Sequence, residues 1–252
     1  SFYVTTLGEG QATTPPSISA VSVRGSGSAL VLFGVLLDHG RVPGNVATCR
    51  DGGHLWLRQS QVRGGDIGVS AELDCAGLDL NRVLVNGNDL DGVAITTGST
   101  RYRILNSIIA ENGKNMNSTA GGVSIGPGAT GVFAFNTVVN NGVSGTGVAG
   151  GVICLGPGQL SDSIIDGNSF SSGQQSQVDS KCTLERVALG AMGSAKPGAL
   201  PGKVDLDPRY CPRDTTSCCI DKGKASDAVP VDYYGAPRPA RNGYDVGACE
   251  VQ

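Results

Sequence analysis

Long apolar runs are missing from this chain: none approaches the roughly 18 residues that a membrane-spanning helix needs. Helical periodicity is missing too, since no window of about ten or more residues repeats apolar positions at a helical interval. Charged residues make up 16% of the chain, the net charge is −3, and no block of like charges occurs. These features argue against nucleic acid or an anionic membrane as the principal partner. Only two histidines are present, and neither His39 nor His54 lies near a Gly-x-Ser-x-Gly elbow, which disfavours a nucleophilic triad. The turns Gly126-Pro127-Gly128 and Gly156-Pro157-Gly158 are not followed by Lys-Ser/Thr, so no phosphate loop is present. Cys-x-x-Cys spacing is absent as well. Eight cysteines with so few histidines favour disulfides over zinc, and hence an oxidising compartment. No signal peptide is visible, so the chain reads as a mature or trimmed form.

What is abundant is glycine, 39 of 252 residues, and repetition. Asn81-Arg82-Val83-Leu84, Asn106-Ser107-Ile108-Ile109, Asn136-Thr137-Val138-Val139 and Asp162-Ser163-Ile164-Ile165 share one phrase. Each is followed by an Asn or Gly turn, as at Asn112-Gly113 and Asn141-Gly142. A second phrase recurs between them: Gly92-Val93-Ala94-Ile95, Gly122-Val123-Ser124-Ile125 and Gly151-Val152-Ile153-Cys154. Earlier copies of both phrases begin at Gly34 and Gln59, and at Asn45 and Gly68. A period in the twenties of residues signals a solenoid. Short β-branched and aliphatic runs punctuated by Gly and Asn indicate strands. The fold class is therefore all-β: a single parallel β-helix of about six to eight coils, with equivalent strands stacked about 4.8 Å apart. The preference of parallel connections makes it right-handed.

Residues 1–25, with Phe2-Tyr3-Val4-Thr5 and a Gly/Thr/Pro linker from Gly8 to Pro16, read as an N-terminal cap. Residues 26–170 form the coils. Residues 171–252 hold the last coil or coils and a loop-rich, disulfide-bonded C-terminal cap of the same domain. Within the coils, two-residue alternation turns Leu55, Leu57, Tyr102, Ile104, Val132, Ala134 and Leu160 inward. It turns His54, Trp56, Arg58, Arg101, Arg103, Phe133 and Phe135 outward, and leaves Asp79 as an unexplained inward acid. The leading Asn81, Asn106 and Asn136 are expected to stack as a structural ladder, because an amide donates and accepts to copies above and below. Cys49 and Cys75 lie in neighbouring coils and are candidate partners. Cys154 takes the inward slot of Ile125, with Cys182 its candidate partner. Connectivity stays open at this level. Loops 113–121, 142–150 and 169–181 fall at one corner, as a binding wall or as solvated Gly/Ser loops. Asn117-Ser118-Thr119 is an N-glycosylation pattern.

The tail carries a more specific signal. Cys219-Ile220-Asp221-Lys222-Gly223, Asp232-Tyr233-Tyr234-Gly235-Ala236-Pro237-Arg238-Pro239 and Gly243-Tyr244-Asp245-Val246-Gly247-Ala248-Cys249-Glu250 follow in order after Asp207-Pro208. Over residues 204–250 this resembles the closing signature of bacterial right-handed parallel β-helix proteins of the choice-of-anchor Q type. The resemblance implies a secreted or cell-surface location in a bacterial envelope, and no single activity. Cys219 and Cys249 depart from the family pattern, which suggests a bridge between them, with Cys211 and Cys218 as the remaining candidate pair. Asp221, Asp232 and Asp245 read as turn carboxylates, and Arg238 as a partner for Asp245 or Glu250. No metal site is expected. Calcium is the one cofactor left open, although no recognisable calcium-loop spacing is present.

Three functions fit. In the first, a non-catalytic surface presents His54, Trp56 and Phe133 with the arginines to a polysaccharide or a cell-surface protein. The second is a polysaccharide lyase or glycoside hydrolase acting on an acidic polysaccharide. Arg58, Arg101 and Arg103 are then the candidate catalytic residues, with Asp66, Asp91 and Glu111 as poorly aligned carboxylates. The third is a structural spacer. Binding or structure is expected ahead of catalysis, in a chain that acts as a monomer.

Overall fold

The computed structural model describes residues 19–96, 98–113, 118, 120–143, 149–170, 172–174, 176–190, 196–213, 217–225 and 229–251. The expected N-terminal strand and linker, and Asn117 of the glycosylation pattern, lie outside the described residues, as does much of the three corner loops. The described chain is all-β and winds as a parallel solenoid of about six turns. Each turn contributes one strand to each of three sheets. The first sheet contains Val21–Arg24, Ala47–Arg50, Val69–Ala71, Val93–Ile95, Val123–Ile125 and Val152–Cys154. The second contains Ala29–Phe33, His54–Arg58, Gly77–Asn81, Arg101–Leu105, Thr130–Ala134, Gly158–Ser161 and Cys182–Glu185. The third runs from Leu36–Asp38 through Gln61–Arg63, Leu84–Asn86, Ile108–Ala110, Thr137–Val139, Ile164–Asp166 and Val187–Leu189 to Ala199–Leu200. One buried cluster fills the bore, including Leu57, Leu80, Ile104, Phe133 and Leu160 from the second sheet and Val62, Val85, Ile109, Val138 and Ile165 from the third.

An asparagine ladder does run through the solenoid, but at a different corner from the one expected. It consists of Asn88, Asn112, Asn141 and Asn168, each just after a strand of the third sheet, and ends on Gln177. Amide-to-amide bonds of 2.8, 3.0, 2.9 and 2.9 Å join successive members. Each interior amide is saturated. The Asn141 Nδ2 donates to Asn168 and to the Ile109 carbonyl, while its Oδ1 accepts from the Asn112 side chain and backbone N–H. The ladder explains the glycine that opens the second phrase. A Cβ on Gly92 would stand 2.8 Å from Asn112 Nδ2, and one on Gly151 would stand 2.9 Å from Asn168 Nδ2. Real Cβ atoms do not approach that closely, so only glycine lets the next strand start beside a stacked amide.

Asn81, Asn106 and Asn136 do not stack on one another. The corner between the second and third sheets places one left-handed residue in each turn: Gln59, Arg82, Asn106, Phe135, Asp162 and Arg186, with φ between 45° and 60°. Strand register puts Asn81 one position before this residue and Asn136 one position after it, with Asn106 on it. The Asn106 amide donates instead to Val231 of the tail, and that of Asn136 to Ile104. Matching on the leading Asn thus merged three neighbouring columns into one.

The alternation also needs correction in one strand. Phe133 and Gly131, not Val132 and Ala134, take the inward slots. Gly131 lies beside the Tyr102 ring, and a Cβ there would meet that ring's Cγ at 2.8 Å. A missing side chain in an inward slot hides the phase of the strand. Phe135, Ala134 and Leu105 face outward but are buried beneath Val229 and Tyr244. Asp79 faces outward, between the inward Leu78 and Leu80.

The tail lies along the outer flank of the third sheet. Leu206, Tyr210, Tyr233 and Ala248 pack on Leu84, Ile108, Ala110 and Val139, while Val204, Cys218, Cys219 and Val246 pack on Ile164 and Ala188. Arg238 organises it. Its Nη1 donates to Glu250 (2.7 Å) and to the Asp245 carbonyl, its Nη2 donates to the Gly247 carbonyl, and its guanidinium sits 4.8 Å above the Phe135 ring. Asp232 accepts the Ala236 and Glu250 N–H groups, and Asp245 accepts those of Asp221 and Val251. The carboxylates of Asp232 and Asp245 therefore fold the tail by accepting its backbone N–H groups.

Disulfides join Cys49 to Cys75 and Cys154 to Cys182. The other two candidate pairs, Cys211–Cys218 and Cys219–Cys249, are corrected: Cys211 bonds Cys249, and Cys218 and Cys219 are free thiols. The side chain of Cys219 packs instead in the apolar contact with the third sheet, against Ile164 and Ala188.

Two outcomes follow. Replacing Asn141 with Ala orphans buried donors and acceptors in both adjacent turns and is expected to cost at least about 3 kcal/mol. Asn81→Ala, whose buried Oδ1 has no partner, is expected to cost under about 1 kcal/mol; urea unfolding of the two variants checks the contrast. Arg238→Met leaves Glu250 as an uncompensated buried charge and is expected to cost about 3–5 kcal/mol in the same measurement.

Candidate ligand-binding groove

The tail covers the third sheet, whereas no described tail residue packs on the outer face of the second sheet in its first turns. Strand alternation sends three columns of side chains outward there. Register aligns His54 with Gly77, Arg101 and Thr130 in one column, and Val31 with Trp56, Asp79, Arg103 and Val132 in the next. The third column runs Phe33, Arg58, Asn81 and Leu105. At about 4.8 Å per strand, the five residues from Val31 to Val132 span ~19 Å.

A groove of about 630 Å³ is cut into this face, lined by His54, Trp56, Asp79, Arg101, Tyr102 and Arg103 among others. Gly77 opens it. A Cβ at Gly77 would lie 2.5 Å from His54 Nδ1, so the absent side chain lets the imidazole lean across. The His54 and Trp56 rings stack in parallel, centroids 5.4 Å apart at 17°, and form an aromatic wall. On the same face stand the cations. Arg103 Nη1 lies 3.5 Å from Asp79 Oδ2, and Arg58 Nη2 lies 4.0 Å from the same oxygen. Arg101 is exposed and has no acidic partner among the described residues. Three guanidiniums therefore share this face with one carboxylate, which pairs with two of them, in a chain that is acidic overall.

Asp79 is the hinge of this arrangement. It is only 9% exposed, and its Oδ1 is buried with no hydrogen-bond partner. Its other oxygen holds two arginines whose side chains remain 47% and 48% exposed. The acid thus draws one terminal nitrogen of each arginine while the rest of each guanidinium stays exposed to a ligand. Beneath them, burial pushes the Tyr102 hydroxyl above its ordinary pKa, so it stays protonated.

Of the sequence candidates, His54, Trp56, Arg58, Arg101 and Arg103 come together on this face. Phe133 does not: its ring is fully buried in the bore. Asp66, Asp91 and Glu111 serve separate structural roles. Asp66 accepts the Gly44 N–H, Asp91 accepts the Ala120 and Gly121 N–H groups, and Glu111 accepts the Tyr210 hydroxyl. The corner loops connect the third sheet to the first, and none of their described residues lines the groove. Asp79 was missed as a site residue. The signal was present in Leu78-Asp79-Leu80, where an acid alternates with two leucines and so shares the outward face with Trp56. Among the described residues, no group of three or more His, Cys, Asp or Glu side chains is placed to hold a metal ion.

No protein-family model matches the chain, and no curated protein or solved structure shows significant similarity to it.

Because both arginine heads are well solvated, Asp79→Asn is expected to change stability by less than about 1 kcal/mol in thermal or urea unfolding. That makes it a variant that tests the groove without testing the fold.

Proposed function

We propose that the open face of the second sheet binds an acidic polysaccharide, and that it does so without cleaving it. The observation that carries this reading is the stacked His54–Trp56 wall lining one groove with Arg101 and Arg103, with Arg58 beside it against Asp79. Sugar rings stack their C–H faces on aromatic side chains, and guanidiniums pair with uronate or sulfate groups through two parallel N–H donors. A strip with one residue per strand suits a linear chain, because successive sugars meet successive strands. Three disulfides fit a protein that folds in an oxidising compartment, outside the cytoplasm. The resemblance of the tail to choice-of-anchor Q proteins supports a secreted or cell-surface protein of a bacterial envelope, with a cell-surface polysaccharide or protein as its partner.

A second reading rests on Asp79. A carboxylate whose Oδ2 lies beside two arginines has the parts of a polysaccharide lyase: cations that neutralise the uronate and a base that takes its α-proton. A retaining or inverting hydrolase fits less well, because Asp79 is the one carboxylate lining the groove among the described residues.

The single tryptophan of the chain is Trp56, so its fluorescence reports on the groove directly. Titration with oligogalacturonate or a sulfated oligosaccharide is expected to shift or quench it, with binding that weakens as salt rises. A neutral oligosaccharide of equal length is expected to bind weakly. Arg101→Ala and Arg103→Ala should each weaken the acidic ligand about tenfold, or about 1.4 kcal/mol. Absence of any fluorescence response to acidic ligands rules out the binding reading. Growth of ultraviolet absorbance from unsaturated uronates replaces it with the lyase.

A further inference from the structure

Six of the eight cysteines are consumed in three disulfides, and the remaining two are neighbours in sequence and in space. Their sulfurs are 3.5 Å apart. Cys219 is fully buried and Cys218 is 7% exposed. Both pack with Ile164 and Ala188 of the third sheet and with Val204 and Val246 of the tail. The backbone holds them there: Cys218 N–H donates to the Lys203 carbonyl, and the Cys219 carbonyl accepts from Val246 N–H. The two thiols thus sit where the beginning and end of the tail meet the solenoid.

We propose that Cys218 and Cys219 are a redox-active pair that closes as a vicinal disulfide, a fourth bond that opens and shuts while the other three stay closed. The co-reactant is the disulfide of a small or carrier thiol, RSSR. The Cys218 thiolate attacks one sulfur of RSSR, forming a mixed disulfide and releasing RS⁻. The Cys219 thiolate then attacks Cys218 Sγ, the new bond forms, and the second RS⁻ leaves. The two cysteine protons end on two RSH molecules, and two electrons pass from the pair to RSSR. The order follows from exposure and contact: Cys218 is the more exposed of the two, and the sulfur–sulfur contact holds its thiol below its ordinary pKa, while that contact and burial push the Cys219 thiol up.

Geometry separates this bond from the others. Adjacent Cα atoms lie about 3.8 Å apart across a trans peptide, short of the roughly 4.4–6.8 Å that disulfides prefer. The three existing bonds span 5.3, 5.3 and 5.4 Å between Cα atoms. A vicinal bond is therefore the most strained of the four, and strained bonds are the most readily reduced. Closing it changes side-chain shape inside the contact that seats the tail, so the thiol state and the docking of the tail are coupled.

The test uses the full chain, incubated with oxidised glutathione, then denatured and alkylated before mass measurement and peptide mapping. The expected result is loss of all eight cysteine hydrogens, with residues 218 and 219 joined within one peptide. Equilibration against glutathione buffers of rising reducing power is then expected to open this pair first. Cys218→Ser should leave a single alkylated thiol, at Cys219, with the other three bonds unchanged. Two alkylated thiols in the oxidised wild type, a bond from either residue to Cys211 or Cys249, or opening of the pair after the other three would each overturn the proposal.

Discussion

The buried amide ladder from Asn88 to Asn168 is the interaction on which the rest of the solenoid depends. An amide has two donors and a doubly accepting oxygen, and each interior rung uses all of them on its neighbours. Such a group is stable only when the next turn arrives at one height and in one register, because a one-residue slip would strand several buried polar atoms at once. The glycines at 68, 92, 122 and 151 are the sequence record of that constraint, since the space a Cβ needs is occupied by the stacked amide or by the next turn. Leucine, isoleucine and valine in the bore supply most of the burial, but many apolar arrangements would satisfy them. The amides choose one.

Fixed register has a consequence on the outside. It aligns every third-sheet strand so that Leu84, Ile108, Thr137, Ile164 and Ala188 form an outward column, and the tail buries that column around the Arg238–Glu250 pair. The same register on the second sheet aligns His54 with Arg101, and Trp56 with Asp79 and Arg103, with no described tail residue packed over them. One flank is therefore closed by a folded strap, while the other presents aromatic and cationic groups at regular spacing. The chemistry collects on the flank that the tail leaves open.

The repeat and the fold class were legible because apolar phrases and glycines recur at fixed places in every turn. The placement of Trp56 and the arginines was legible because His54–Arg58 and Arg101–Leu105 alternate cleanly. Phe133 was misread because Gly131 occupies an inward slot without a side chain, and because the outward Ala134 and Phe135 are apolar to suit the tail. A distant segment had written itself into a strand that local alternation alone could not decode. The ladder was assigned to Asn81, Asn106 and Asn136 because a shared first letter was taken as a shared column, although two of those residues flank a left-handed turn position and one occupies it. Tail disulfides depend on the path of a loop-rich segment with no repeat, so spacing carried no information about Cys211 and Cys249. Asp79 was visible as an acid out of place; its meaning required knowing which arginines stand on either side.

The central functional claim is that Arg58, Arg101 and Arg103 act as one cationic face. It is tested most directly by nuclear magnetic resonance of the arginine Nε–H groups during titration with an acidic hexasaccharide. The account predicts that these three resonances shift together at one apparent affinity, while those of Arg186 and Arg238, held by Asp162 and Glu250, stay in place. Shifts scattered over the arginines of the whole surface, or confined to the tail, would contradict it.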